Sequence, residues 1–306
     1  MSFITGLDLC NGMENLPVLT ESDVSNGESP VAAFQYTPEN IPGPGCTHHP
    51  SEMTLPGCDC RSASCQQGSC SCLQAYGQAY DSDGRLRDRG TEQGDYSRPV
   101  FECNALCGCS ETCSNRVVQR GLRFHLSVFP TQGKGWGVRT LEPIPRGSFV
   151  CEYAGEVLGY EEACRRQRAQ GPGDMNYIIA VREHAGPDRV SETFVDPAAM
   201  GNVGRFLNHS CQPNLSMVPV RVHSLVPRLA LFALRDVAAG EELTFDYSGA
   251  HGSTAMKGPK PSSGPVAIES SCSTGGAGAL KRKPCQCGTQ NCSLFLPLDI
   301  SVINTS

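Results

Sequence analysis

The chain has 306 residues, of which 39% are hydrophobic, so it is long enough to bury one large core or two modest ones. Its net charge of −6 argues against a general nucleic-acid binder, because such proteins gain affinity by neutralising phosphates. The stretch 1–9 lacks the basic and apolar regions of a signal peptide, and no run of about 18 apolar residues predicts a membrane span.

Residues 1–57 are predicted to form an irregular lead-in. They contain few periodic apolar positions, and Pro-Gly turn signals occupy 41–45. Because no secretion signal is visible, the 18 cysteines of the chain are expected to bind metal rather than to form disulfides. A secreted scaffold held by disulfides is the alternative interpretation.

Nine cysteines follow in the segment 58–121, which has too few apolar residues to fold without a metal. C-x-C pairs occur in both halves of this segment, and thiolates so close in sequence suit a shared metal better than a disulfide. The nine are Cys58, Cys60, Cys65, Cys70, Cys72, Cys103, Cys107, Cys109 and Cys113.

The count of nine indicates that the metal ions share ligands. Three tetrahedral zinc ions need twelve bonds, of which six terminal thiolates supply six and three bridging thiolates supply the rest. Separate four-cysteine sites need eight or twelve ligands and fit nine cysteines poorly. We therefore expect a structural cluster of three zinc ions, with two separate sites as the alternative.

Between Leu122 and residue 248 the sequence changes to short β-type runs separated by Gly and Pro turns. One helix is predicted near Tyr160, where Glu161 and Glu162 precede three arginines in the order that suits the helix dipole. The candidate strands are 123–129, 136–141, 148–157, 176–181, 192–196, 215–223, 228–237 and 242–247.

Three motifs in this region contain candidate functional residues. Lys134-Gly135-Trp136-Gly137 places glycines around the only tryptophan, which indicates backbone close to a ligand, although a hairpin turn explains it equally well. The run from Arg205 to Asn214 places Asn208 beside His209, and together they can bind a purine edge or a carboxylate. For His209 alone, a structural role is the simpler explanation.

The third motif runs from Glu241 to Tyr247. On a strand, Phe245 and Tyr247 point to the same face. Aromatic pairs of this kind usually belong to a core. With a tyrosine hydroxyl, such a pair can also line a narrow channel for a side chain that carries a cation.

Residues 249–283 are rich in Gly, Ser and Pro and are predicted to be a flexible insertion. After it, 284–297 contains a second cysteine group, and 298–306 form a tail. This group, Cys285, Cys287 and Cys292, is one ligand short of a tetrahedral site. Spacing leaves the fourth ligand open among Cys10, Cys46, Cys151, Cys164, Cys211 and Cys272.

Taken in this order, the nine-cysteine pattern, Arg205-Phe-Leu-Asn-His-Ser-Cys and Phe245-Asp-Tyr resemble SET-domain protein lysine methyltransferases of the suppressor-of-variegation type. The resemblance covers about residues 58–248 and 284–297. It implies a mainly β fold, the SET-domain β-clip with a pseudoknot. A pre-SET module with three zinc ions at 58–121 and a post-SET module with one at 284–297 flank the catalytic domain at 122–248.

The resemblance also implies roles for individual residues. Cys211 is implied as the fourth ligand of the post-SET zinc. Tyr247 is implied to orient the target amine, Tyr153 and Tyr177 to frame the lysine channel, and Phe245 to favour dimethylation or higher. The residues implied to bind S-adenosylmethionine are Lys134, Gly135, Trp136, Tyr177, Arg205, Asn208, His209, Tyr247 and Phe295.

The implied partner is the histone H3 tail in the nucleus, on the chromosome, with lysine 36 favoured and lysine 4 next. One alternative is another lysine-bearing nuclear protein, and a second is a catalytically silent zinc module that binds chromatin proteins. No membrane association and no direct sequence-specific binding of nucleic acid are expected.

Overall fold

Two β-sheets form most of the fold, as the mainly β prediction requires. The computed structural model describes residues 6–21, 34–87, 99–171, 174–186, 189–248 and 283–297. The predicted insertion, apart from Lys283, and the predicted tail therefore lie outside the described residues, as does Cys272.

The described residues contain fourteen strands, two α-helices and two 3-10 helices, at Val118–Arg120 and Val203–Phe206. The α-helices are α1 (Ser71–Tyr76) and α2 (Tyr160–Ala169), and no described helix is both long and apolar enough to span a membrane. In chain order the strands are β1 (Val18–Thr20), β2 (Gln35–Tyr36), β3 (Ile41–Pro42), β4 (Val100–Phe101), β5 (Leu126–Pro130), β6 (Trp136–Thr140), β7 (Phe149–Glu152), β8 (Gly155–Leu158), β9 (Ile179–Gly186), β10 (Arg189–Gly201), β11 (Asn208–His209), β12 (Leu215–Arg221), β13 (Arg228–Ala233) and β14 (Glu242–Phe245).

The larger sheet has the order β1-β5-β6-β14-β12-β13-β7, with β11 beside β14 and β4 beside β12. Strand β13 is buried over most of its length, and Leu229 and Leu231 have no exposed surface. It pairs with β12 on one side and with β7 on the other. Because consecutive residues of β13 are buried, both of its faces are covered, and such a strand has a continuous apolar run that the sequence shows clearly.

The smaller sheet has the order β2-β10-β8-β3, with β9 also paired to β10. Helix α2 buries Ala163 and Cys164 in a cluster with residues of β8 and β10. Arg166 on the same helix donates to Glu156 of β8 at 2.7 Å and to Asp196 of β10 at 2.9 Å. The helix predicted near Tyr160 is thus confirmed, and an ion-pair network fixes it to this sheet.

Every predicted strand segment overlaps a strand, and 148–157 overlaps two, β7 and β8. The lead-in, predicted to be irregular, differs from the prediction. Strand β1 pairs with β5, β2 pairs with β10, and β3 pairs with β8, so this segment joins both sheets. Strands of two or three residues are too short to show a periodic pattern, and the sequence therefore gave no signal for them.

Glu102 holds the end of the cysteine-rich segment against its middle. Its Oε1 accepts the backbone N–H groups of Val117 (2.9 Å) and Val118 (2.7 Å) and the Tyr80 hydroxyl (2.8 Å). Its Oε2 accepts the side-chain amide of Gln119 at 2.8 Å. Glu102 is only 3% exposed. If its carboxylate were lost, bulk water could not reach these donors to replace it.

We expect Glu102→Gln to lower the free energy of unfolding by about 1–3 kcal/mol, because the amide replaces an acceptor with a donor in a buried set of donors. Glu111→Gln is the matched control, since Glu111 is exposed in the same segment. Chemical unfolding at neutral pH measures both. Equal unfolding midpoints for the two variants would contradict the role given to Glu102.

Candidate active site and metal centres

The nine cysteines of 58–121 form one cluster, and all but Cys60 are buried. Three groups of four sulfur atoms lie within 4.8 Å of one another. The groups are Cys58, Cys60, Cys65 and Cys70; Cys58, Cys72, Cys103 and Cys107; and Cys58, Cys65, Cys103 and Cys109.

The distances between sulfur atoms fit tetrahedral zinc. With Zn–S bonds of about 2.3 Å, the edge of a sulfur tetrahedron is about 3.8 Å. The sulfur of Cys65 lies 3.7 Å from those of Cys58 and Cys103, and the sulfurs of Cys72 and Cys107 are 3.8 Å apart. Cys58, Cys65 and Cys103 each belong to more than one group, as bridging thiolates must.

Backbone N–H groups point at several of these sulfurs. The sulfur of Cys107 accepts the N–H of Cys58 at 3.3 Å and that of Asn104 at 3.2 Å. Cys113, which is in none of the three groups, accepts the N–H of Cys65 at 3.3 Å. Donors of this kind stabilise the thiolate over the thiol, and the thiolate is the form that binds zinc.

The second group consists of Cys211, Cys285, Cys287 and Cys292, whose sulfur atoms also lie within 4.8 Å of one another. The Cys211 and Cys285 sulfurs are 3.9 Å apart, close to a tetrahedral edge. The other described candidates lie elsewhere: Cys10 and Cys151 are buried in the main core, and Cys164 in the α2 cluster. Cys46 packs against the main core, and its thiol donates to the His48 carbonyl at 2.9 Å.

Strand β11 brings the Asn208-His209 motif beside the aromatic motif. It pairs in parallel with β14, with Asn208 opposite Thr244 and His209 opposite Phe245. The rings of Phe245 and Tyr247 are 4.8 Å apart, and Tyr153 meets Phe245 edge-on at 6.0 Å. Three of the four residues predicted to form a lysine channel are therefore neighbours.

The two channel tyrosines donate their hydroxyl hydrogens to backbone. Tyr247 donates to the carbonyl of Leu207 at 2.8 Å, and Tyr153 donates to the carbonyl of Tyr177 at 2.6 Å. Burial raises the pKa of both tyrosines, so both are neutral phenols at pH 7. With its hydrogen already donated, each phenol oxygen has only acceptor capacity left.

His209 connects the second cysteine group with Tyr247. Its Nδ1 accepts the backbone N–H of Tyr247 at 3.2 Å, so in the neutral ring the proton is on Nε2. That Nε2 lies 3.4 Å from the sulfur of Cys211. The imidazole therefore contacts the Cys211 sulfur at one nitrogen and holds the Tyr247 backbone at the other.

The Lys134 to Trp136 turn meets Asn208 through Glu242. Lys134 donates to Oε2 of Glu242 at 2.6 Å, and the Asn208 amide donates to its Oε1 at 2.9 Å and to the Trp136 carbonyl at 3.2 Å. A Cβ atom on Gly137 would lie 3.1 Å from both the Asn208 amide and Glu242. The second glycine of the motif therefore permits this close approach. Glu242 was not predicted as a site residue, although the third motif contains it.

Arg205 lies among three aromatic rings. Its guanidinium carbon is 4.3 Å from the ring centre of Phe34, 4.7 Å from Tyr177 and 4.9 Å from Phe206. Burial lowers its pKa, and its Nε donates to the Pro197 carbonyl at 3.1 Å. Phe34 comes from the lead-in and was missed as a site residue, because no local pattern links it to a residue so distant in sequence.

Phe295 lies at the edge of the second cysteine module. It pairs with Pro284 and is 45% exposed. The module contacts the rest of the chain at two further points. Lys283 donates to the Asp174 carbonyl, and a Cβ atom on Gly133 would lie 2.2 Å from the Gln286 side chain. The C-terminal module thus reaches the turn that precedes Lys134.

Two protein-family models match most of the described chain. The SET domain matches residues 135–248, and the Pre-SET motif matches residues 10–116. Histone-lysine N-methyltransferase SETMAR is 52% identical over 296 residues in Homo sapiens and in Bos taurus, which is 97% of this chain. The chain spans 40% of the human protein's length and 90% of the cattle protein's length.

Solved structures show the same similarity. The methyltransferase domain of human SETMAR matches with a TM-score of 0.79 and 48% identity, over 96% of this chain and 98% of that one. KRYPTONITE in complex with mCHH DNA, an H3(1-15) peptide and SAH matches with a TM-score of 0.69 and 31% identity, over 97% of this chain and 55% of that one.

Proposed function

The chain belongs to the SET-domain family of histone-lysine N-methyltransferases, and we propose that it methylates lysine side chains of histone H3 with S-adenosylmethionine as donor. One observation supports the proposal above the others. The rings of Tyr247 and Tyr153, each with a phenol oxygen that can still accept, pack on Phe245 directly beside the Asn208-His209 strand.

The reaction requires a neutral amine in line with the transferred methyl group. An unperturbed lysine has a pKa of about 10.4, so about one in a thousand is neutral at pH 7. Tyr247 and Tyr153 can accept the N–H groups of the amine, which leaves the nitrogen lone pair to face the methyl group. When bound, S-adenosylmethionine supplies a sulfonium methyl group that needs no further activation.

For the donor we propose the side of β11 that faces the Lys134 turn. Lys134, Gly135 and Trp136 would form one wall and Asn208 and His209 the next, while Tyr177, which stacks on the Arg205 guanidinium, would complete the site. Tyr247 adjoins this site from the channel side. Phe295 would close over it, because its side chain is exposed at the edge of the C-terminal module.

The cysteine groups fit a structural role. We propose three zinc ions in the nine-cysteine cluster, bridged by Cys58, Cys65 and Cys103, and one zinc ion held by Cys211 with the C-terminal triplet. The filled sulfur sets leave no open coordination position, so these ions stabilise the fold and take no part in methyl transfer.

The proposed partner is the H3 tail on chromatin in the nucleus, with lysine 36 favoured and lysine 4 next. KRYPTONITE, 31% identical, has been crystallised with an H3(1-15) peptide and SAH, which supports the class of substrate. The alternatives are a non-histone nuclear protein as substrate and a catalytically silent chromatin-binding module. The paired Tyr247 and His209 favour an active enzyme over the silent module.

Labelled methyl transfer to histone octamers tests the function. We expect Tyr247→Phe to lose activity by at least about 100-fold, because the channel loses an oriented acceptor at the amine. Tyr160→Phe is the control, since Tyr160 lies on α2 and is 38% exposed. Octamers with lysine 36 or lysine 4 replaced by arginine identify the target. Lack of transfer to octamers and to any nuclear extract would refute both enzyme hypotheses.

In our proposal, Phe245 determines how many methyl groups the lysine receives. It is 2% exposed, and its phenyl ring leaves more room at the amine than a phenol with a bound water molecule. Dimethylation or higher is therefore expected from the unchanged chain, and mainly monomethylation from Phe245→Tyr. Mass spectrometry of the peptide products measures the distribution. An unchanged distribution in a folded, active variant would exclude this role.

Metal analysis tests the proposed clusters. The folded chain should contain three zinc ions in the first cluster and one in the second. Cys58→Ser should lose more than one of them, because Cys58 belongs to all three groups, whereas Cys46→Ser should lose none. A strong chelator should abolish activity by unfolding both modules. Full activity in metal-free protein would contradict the zinc assignment.

A further inference from the structure

A cavity of about 190 Å³ lies where the lead-in, the end of the cysteine-rich segment and the larger sheet meet. Lead-in residues Glu14 and Glu39 line one side, and Glu152 and Arg228 of the sheet line another. At about 30 Å³ of liquid volume per water molecule, the space is several times larger than one water. None of the residues proposed for methyl transfer lines it.

Glu152 is the buried acceptor of this cavity. Its side chain is only 6% exposed, and its Oε1 has no hydrogen-bond partner. Its Oε2 meets Arg228 at 3.5 Å, while the same guanidinium donates to Glu39 at 2.7 Å. An unpaired buried carboxylate oxygen is costly, so a ligand that donates to it would be stabilised.

Glu14 provides a second acceptor. The Tyr36 hydroxyl donates to its Oε1 at 3.0 Å, and the described residues give its Oε2 no donor. Across the whole lining, three carboxylates face two guanidinium groups, those of Arg228 and Arg120. The unmatched hydrogen-bonding groups are acceptors, and because burial raises the pKa of Glu152 to about 7, a cation beside it would favour the charged carboxylate. The complementary ligand is therefore a cation with several N–H donors.

The geometry does not favour a metal ion. Among the described residues, the sets of three or more possible ligand atoms within 4.8 Å consist of cysteines alone, so the three glutamates do not converge on one point. A planar guanidinium can bridge separated carboxylates with its fork of donors, and it loses less hydration than an ammonium ion. The Phe149 ring in the lining suits a guanidinium face as well.

We propose that this cavity binds a guanidinium group, as carried by an arginine side chain, with Glu152 and Glu14 as its acceptors. The site lies on the opposite face of the sheet from the proposed methyl-transfer channel. Glu152 and Tyr153 are consecutive in extended chain, so their side chains point to opposite faces of the sheet. The ligand can come from a free guanidino compound or from an arginine within a basic peptide.

Isothermal titration calorimetry on the full chain tests the proposal with N-acetyl-arginine amide. We expect saturable binding that is at least tenfold tighter than that of N-acetyl-citrulline amide, a neutral compound of the same shape. Glu152→Gln and Glu14→Gln should each weaken it at least tenfold. Glu192→Gln, an exposed control on β10, should leave it unchanged. Equal binding of the citrulline compound, or no saturable binding, would overturn the proposal.

Two further experiments use the unchanged chain, so they do not depend on variants that fail to fold. The first identifies whether the guanidinium group comes from a peptide or from a free compound. Tighter binding of an acetylated Gly-Gly-Arg-Gly-Gly amide than of the single residue supports a peptide source, and equal binding supports a free compound. A crystal of the unchanged chain soaked with N-acetyl-arginine amide should show a planar group beside Oε1 of Glu152. Ordered water alone at that position would refute the site whatever the variants do.

Discussion

Strand β11 is only two residues long, and its parallel pairing with β14 determines the geometry of the whole proposed site. Because Asn208 and His209 lie opposite Thr244 and Phe245, the donor-site residues and the channel residues share one backbone ladder. Leu207, just before this strand, supplies the carbonyl that fixes the Tyr247 hydroxyl. Cys211, two residues after His209, links this part of the chain to the C-terminal module, because its sulfur lies 3.9 Å from that of Cys285.

This ladder also connects the second cysteine group to the proposed site. The His209 imidazole contacts the Cys211 sulfur at one nitrogen and the Tyr247 backbone at the other. In the proposed site, loss of the Cys211 sulfur would remove one of these two contacts of His209 and so loosen the backbone that carries Tyr247. The nine-cysteine cluster acts at greater distance, through the bonds of Glu102 to the segment that leads into the sheet.

The sequence predicted those features that depend on local pattern. Short β-type runs between Gly and Pro turns located the strands, charge order located α2, and the count of nine cysteines favoured shared ligands. It could not predict contacts between residues distant in the chain, such as Phe34 with Arg205 or Lys134 with Glu242. Such pairs depend on sheet order, which spacing does not encode. Spacing alone also left the fourth ligand of the triplet open, and only the family resemblance suggested Cys211.

The channel also limits how the target amine can lose its proton. Burial raises the pKa of Tyr247 and Tyr153, and both hydroxyl hydrogens are held by carbonyl oxygens, so neither phenol can act as a base at neutral pH. Glu242, a carboxylate that acts on Tyr247, is paired with Lys134. In the proposed reaction, the proton must therefore leave the lysine for water before transfer. The tyrosine oxygens then orient the neutral amine by accepting its two N–H groups.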